Sequence, residues 1–290
     1  MTERLPEGRF FSLLMYPVYS MSGDYKRELC ELSGIPMLDI KVRVRTGGFF
    51  LLERGTKEEL TARAGRLNSN GYRCRLFDEA AQYEVPEAID TGLGDIRPDS
   101  IVFFDEAVNV ALEIAPDDRV LIVTGRVEIV STVSTNTQDN VVGYPGFGHG
   151  GLGGMRVGMQ GMRMPARASS SRKAKKVGVV DIYNMTRGQC ARITERAFDF
   201  RDYFSGDADY SFLVNCRKMI DGIKKFAAGT VVDDCYEETS LPLGVSDTEK
   251  HSSQSGDMFG ISSSRTVTRS DMSRFNQYSK FRCIIQTIDG

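Results

Sequence analysis

The 290 residues contain no tryptophan and only two histidines, His149 and His251. So small a histidine content leaves little imidazole for metal binding or for acid–base work near neutral pH. Both histidines also fall in segments expected to be mobile, a poor setting for preorganised chemistry. The six cysteines (Cys30, Cys74, Cys190, Cys216, Cys235 and Cys283) include no C-x-x-C pair. That argues against a zinc site and predicts reduced, mostly buried thiols in a cytoplasmic protein. No stretch of about 18 uncharged apolar residues occurs, so no membrane-spanning helix is expected. Glu3 and Glu7 precede the short apolar run FFSLLMY and Pro17 ends it, a pattern unlike a signal peptide. Neither sign of charge dominates, since 37 basic residues meet 39 acidic ones. A wholesale polycation is excluded, and any anion-binding surface must be local. The motifs G-x-S-x-G, H-E-x-x-H, Walker A and the EF-hand loop are absent, leaving no catalytic residue, cofactor or metal ligand to assign.

What is present begins with a clear pattern over residues 8–78. FFSLLMYPV reads as a strand and GDYKRELCELSG as a helix, with Tyr25, Leu29, Cys30 and Leu32 at helical spacing and Gly34 as its stop. DIKVRVRTGGFFLLERG reads as two strands joined by a tight turn at Gly47-Gly48. Thr56 and Glu59 form a capping box for a helix that closes at Asn70-Gly71, and YRCRLF is a last alternating strand. The order βαββαβ predicts a ferredoxin-like domain. In such a sheet Lys41, Arg43, Arg45, Arg73 and Arg75 would share the open face. That basic face resembles the surface on which RNA-recognition-motif proteins bind single strands. Phe49 and Phe50 are adjacent, however, so only one of them can face a ligand.

Residues 79–99 carry acids, Pro86, Pro98 and several glycines, and read as a linker. Residues 100–238 are β-rich. SIVFFD, VNVALEIA, RVLIVTGRVEIVSTV, VGVVDIYN and CARITERAFDF are strand candidates, with a turn at Ala115-Pro116-Asp117-Asp118. DYSFLVNCRKMIDGIKKFAAG then sets Phe212, Cys216, Met219, Ile220, Ile223 and Phe226 on one helical face. Asp207, Asp209 or Ser211 is expected at the N-cap of that helix. Several antiparallel strands closed by one amphipathic helix resemble, in element order, the pleckstrin-homology-like (PH-like) architecture to which GRAM-type domains also belong. The expected fold class is thus α+β: a ferredoxin-like domain, then a β-rich PH-like domain closed by a helix. Residues 239–290 read as a mostly disordered tail of Ser, Thr and Gly. It regains Phe275, Tyr278, Phe281, Ile284 and Ile285 in a short ordered segment at the end.

One stretch breaks the folded pattern. Residues 138–176 read as a disordered loop, first glycine-rich, then methionine-rich, then basic, and no acid occurs from 141 to 176. Its GFGHGG matches G-x-G-x-x-G formally, but more glycines follow where a helix is required, so it is not a dinucleotide fingerprint. Met155, Met159, Met162 and Met164 with His149 offer soft ligands suited to Cu(I), yet methionine is equally a flexible apolar filler, and no metal is assigned. Arg156, Arg163, Arg167, Arg172, Lys173, Lys175 and Lys176 concentrate positive charge suited to an anionic partner.

The expected function is that of a cytoplasmic, non-enzymatic scaffold or adaptor. It would use this basic loop and the C-terminal tail to bind a protein partner or an anionic membrane surface. The alternative is RNA or single-stranded nucleic acid on the basic face of the N-terminal sheet. Exposed strand edges leave self-association open.

Overall fold

In a computed structural model the described residues are 11–17, 24–44, 48–78, 81, 83–139, 167–239, 241, 247–257 and 260–289. They form a mixed α+β chain of three sheets, with thirteen strands and six helices among the described residues. The chain divides into two compact units. One takes Met1–Val127, Val177–Val245 and Ser273–Gly290, the other Glu128–Lys176 and Ser246–Met272.

In the first unit, β1 (Phe11–Met15) is followed by α1 (Tyr25–Ser33), α2 (Met37–Arg43), β2 (Phe50–Gly55), α3 (Lys57–Ser69) and β3 (Cys74–Asp78). The sheet order is β2-β1-β3, with β1 antiparallel to both neighbours. Leu13, Met15, Phe50, Leu52 and Cys74 turn inward onto Leu29, Ile40, Leu60 and Leu67 of the helices. The predicted helix boundaries hold: at the end of α1 Gly34, at φ +72°, donates its N–H to the Cys30 carbonyl, and at the start of α3 the Thr56/Glu59 capping box is formed.

The expected four-stranded ferredoxin-like sheet does not form among the described residues, because Lys41, Val42 and Arg43 of KVRVR belong to helix α2. Its alternating valines matched a strand, but Ile40 and Val44, one helical turn apart, are the residues that reach the core. Val42 is 58% exposed. Pro36 precedes the first turn at φ −55°, a start that proline favours. Gly48 therefore needs another explanation than a hairpin turn. A Cβ there would lie 2.5 Å from the Glu238 carbonyl oxygen, so the position demands glycine for close backbone approach.

The rest of this unit begins in the expected linker, which supplies β4 (Ile89–Asp90) and β5 (Leu93–Ile96). β6 (Ile101–Phe104) and β7 (Val110–Ile114) join β5 in a three-stranded sheet. β8 (Val120–Asp139), β9 (Arg167–Asn184) and β10 (Gln189–Thr194) build the larger sheet. Then come α4 (Phe200–Tyr203), α5 (Phe212–Phe226) and β11 (Val231–Asp233), and, after the hairpin strands β12 (Asp247–Asp257) and β13 (Gly260–Ser270) of the other unit, α6 (Met272–Asp289). Period-two apolar pairs from five strands converge on one core: Ile101/Phe103, Leu112/Ile114, Val120/Ile122, Val180/Ile182 and Ala191/Ile193. α5 closes it with Cys216, Met219 and Ile223, and Phe212, Ile220 and Phe226 flank them. Ser211 is the N-cap of α5. The chain reversal before it is held by Asp209, whose N–H donates to Asn215 Oδ1 at 2.8 Å.

The second unit is a four-stranded ribbon, ordered β12-β13-β8-β9. β12 and β13 pair from Asp247↔Ser270 to Asp257↔Gly260, and β13 pairs with β8 from Ser270↔Ile129 to Gly260↔Asp139. Much of the expected disordered tail is therefore paired strand. No side chain whose burial is described in this ribbon is fully buried. Backbone ladders and polar cross-strand contacts, such as Ser131 with Thr268 at 3.4 Å, hold it in place of a core.

Gly178 of β9 lies under α5, and a Cβ there would overlap the Phe212 ring. Gly178→Ala should therefore lower stability by about 1–3 kcal/mol. Phe212→Leu in the same chain should recover part of the loss in a urea titration.

Candidate functional site

The basic set divides three ways. Arg156 and Arg163 lie outside the described residues, as do His149 and the four methionines of the copper reading. Arg167 begins β9. Arg172, Lys173, Lys175 and Lys176 are exposed on that strand. The expected loop thus gives way to strand ten residues early, because pairing with β8 supplies the backbone hydrogen bonds that this Ser- and Lys-rich sequence would not secure alone. Strand alternation sends Arg172 and Lys176 to one face of the ribbon and Lys173 and Lys175 to the other.

The predicted nucleic-acid face is not assembled. Lys41 and Arg43 ride on α2 and Arg45 is outside the described residues. Arg73 and Arg75 do come together, but on a carboxylate of the chain itself. Asp289, in the last turn of α6, accepts from Arg73 Nη2 at 2.8 Å and meets Arg75 Nε at 2.9 Å. The Tyr16 hydroxyl donates to the same carboxylate at 2.6 Å. Burial and that carboxylate push the Tyr16 hydroxyl above its ordinary pKa. Phe281 of α6 contacts Phe49 and Phe77, at ring separations of 6.2 and 5.9 Å. The face expected to be open is therefore roofed by α6.

Further along α6 lies a buried polar network. Asp181 of β9 receives Nε and Nη2 of Arg192 from β10, both at 2.7 Å, and the Ser279 hydroxyl at 2.6 Å. Burial disfavours the Arg192 charge, but these bonds more than offset it and leave the guanidinium pKa raised. Tyr183 lies 2.9 Å from Ser279. Asp233 of β11 receives the Tyr278 hydroxyl at 2.7 Å and Arg282 Nε at 2.6 Å. The Arg282 guanidinium lies 4.3 Å over the Phe49 ring, and the Arg282 and Asp233 side chains are only 7% and 4% exposed. The sequence reading does not contain this network, since it defines the C-terminal segment by its apolar residues alone. Asp181 and Arg192 alternate with the core pairs Val180/Ile182 and Ala191/Ile193, so strand periodicity points them away from that core. The available signal of a second covered face was their apolar company, Val179, Tyr183 and Cys190.

A groove of about 470 Å³ lies between α5 and the strands β8 and β9. Val179, Val180, Phe212, Leu213 and Ile220 form its apolar lining. Arg126, Arg217 and Lys224 line it together with Asp221, Asp234 and Glu237, so it selects neither sign of ligand charge. Burial pushes the thiols of Cys74 and Cys283 up to about 11, and that of Cys216 up to about 12. Thiols so shifted stay protonated, and unreactive, near neutral pH.

Arg282→Ala should cost about 3–5 kcal/mol, since it leaves Asp233 charged and buried without its partner. Asp233→Asn/Arg282→Met should recover most of that in thermal unfolding. At pH 8, Ellman's reagent should react fastest at Cys30, the only cysteine that is not buried, and mass mapping of the label would show it. No protein-family model matches the chain, and neither a curated protein nor a solved structure resembles it significantly.

Proposed function

We propose that this chain is a non-enzymatic scaffold or adaptor that binds an anionic membrane surface through strand β9. The observation that carries this is the exposed set Arg172, Lys173, Lys175 and Lys176, two on each face of a ribbon in which no side chain of described burial is fully buried. Each basic residue near an anionic bilayer contributes about 1 kcal/mol. A paired strand also holds the four at fixed spacing, so less entropy is lost on binding than from a free loop. No helix among the described residues is long and apolar enough to cross a membrane, so contact would be peripheral. All six cysteines are free thiols and five are buried, which supports a reducing, cytoplasmic setting.

The fold names extend in the same proposal. β1, central and antiparallel to β2 and β3, suits a ferredoxin-like unit in which α2 replaces one edge strand. Strands closed by α5 suit a PH-like unit. Single-stranded nucleic acid on the N-terminal sheet has less support, since Asp289 already engages Arg73 and Arg75.

The intact chain should co-sediment with phosphatidylserine vesicles but not with phosphatidylcholine vesicles. Replacing Arg172, Lys173, Lys175 and Lys176 with Gln should weaken that binding about tenfold or more. Unchanged binding by the variant, or equal binding to both vesicles, would refute the proposal.

A further inference from the structure

We infer that the ribbon joins copies of this chain head to tail, with β12 of one copy pairing with the Arg167–Lys176 part of β9 in the next. This goes beyond membrane binding and uses different groups of the same strand. Side chains leave a strand through the two faces of the sheet, whereas its backbone N–H and C=O groups point along the sheet plane.

Among the described residues both outer strands of the ribbon are edges. β10 borders β9 only from Val179 to Asn184. Beside Arg167–Lys176 no further strand lies on that side among the described residues, and none lies beyond β12. Edges of this kind are templates for pairing.

Strand direction then fits. β12 is antiparallel to β13, and β13 to β8. β8 enters the ribbon at Glu128, whereas β9 leaves it at Lys176, so these two also run oppositely. β12 and β9 are therefore antiparallel to each other. A second copy in the same orientation sets its β12 antiparallel to the first copy's β9 and continues the ladder without a break. The lengths agree as well, β12 having 11 residues against the span Arg167–Lys176.

Charge selects this pairing over its rivals. The β9 segment carries Arg167, Arg172, Lys173, Lys175 and Lys176 and no acid, while β12 carries Asp247, Glu249 and Asp257 against one lysine, Lys250. β9 against β9 would oppose like charges, which destabilises cross-strand pairs. Unlike edges attract, so the contact is heterologous, and a heterologous contact that does not close a ring grows an open chain. With polar residues on both faces, the joint is weak and concentration-dependent.

Sedimentation velocity of the full-length chain tests this at low salt over a concentration series. The weight-average mass should climb past that of a dimer without a plateau, and 0.5 M salt should reduce it. Proline removes a backbone donor, and of two successive strand residues one directs its N–H outward. One of Lys173→Pro and Ala174→Pro should therefore block the β9 edge, and one of Lys250→Pro and His251→Pro the β12 edge, with the unfolding transition of the body retained. Each blocked chain alone should be monomeric, while a mixture of one of each kind should give a dimer that grows no further. A monomer at every concentration, a plateau at a dimer, or undiminished association of all four proline variants would overturn the inference. The β12 proline variants keep every basic side chain of β9, so loss of assembly can be told apart from loss of lipid binding.

Discussion

The ion pair between Arg282 and Asp233 is the contact on which the larger unit depends. It fixes the rotation of α6 about its own axis, and four other contacts follow from that rotation. Tyr278 shares Asp233, Ser279 reaches Asp181, Phe281 meets Phe49 and Phe77, and Asp289 arrives at Arg73, Arg75 and Tyr16. A buried ion pair gains little over an apolar pair of similar volume, because desolvation consumes most of the Coulomb attraction. Its use here is specificity. An apolar helix face can slide or turn by one residue at small cost, whereas a carboxylate with a fixed guanidinium partner cannot.

Because α6 is the last element, it ties the C-terminus to the first sheet of the chain. Residues separated by 273 and 216 positions are hydrogen-bonded at Tyr16–Asp289 and Arg73–Asp289. Both faces of β1 are buried as a result, Leu13 against the helices and Leu14 on the opposite side. Arg73 and Arg75, which look like part of a ligand surface in the sequence, therefore pair with a carboxylate of the chain itself.

The ribbon follows opposite physics. Its strands are rich in Ser and Thr, its described side chains remain at least partly accessible, and its order comes from the ladder. Such a sheet leaves its edges available and its register lightly specified. Arg172, Lys173, Lys175 and Lys176 lie on one of its outer strands, so the proposed lipid contact and the proposed self-pairing share β9.

Local signals were enough for much of the architecture. The turn at Gly34, the Thr56 capping box, the period-two cores of β6 to β10 and the amphipathic face of α5 were all legible, since each depends on neighbours within a few residues. Two features were not. KVRVR fits a strand or a helix equally well until Ile40 and Val44 find the core, and only packing makes that choice. The charged partners of α6 are equally invisible: Asp181, Asp233 and Arg282 are separated by long stretches of chain, and a buried charge is tolerable only once its partner is in place. The sequence by itself determined where helices and strands can start and stop, because caps, turns and periodicity are local. The tertiary structure alone decided which charges face solvent and which are consumed inside, because desolvation depends on everything that packs around a group.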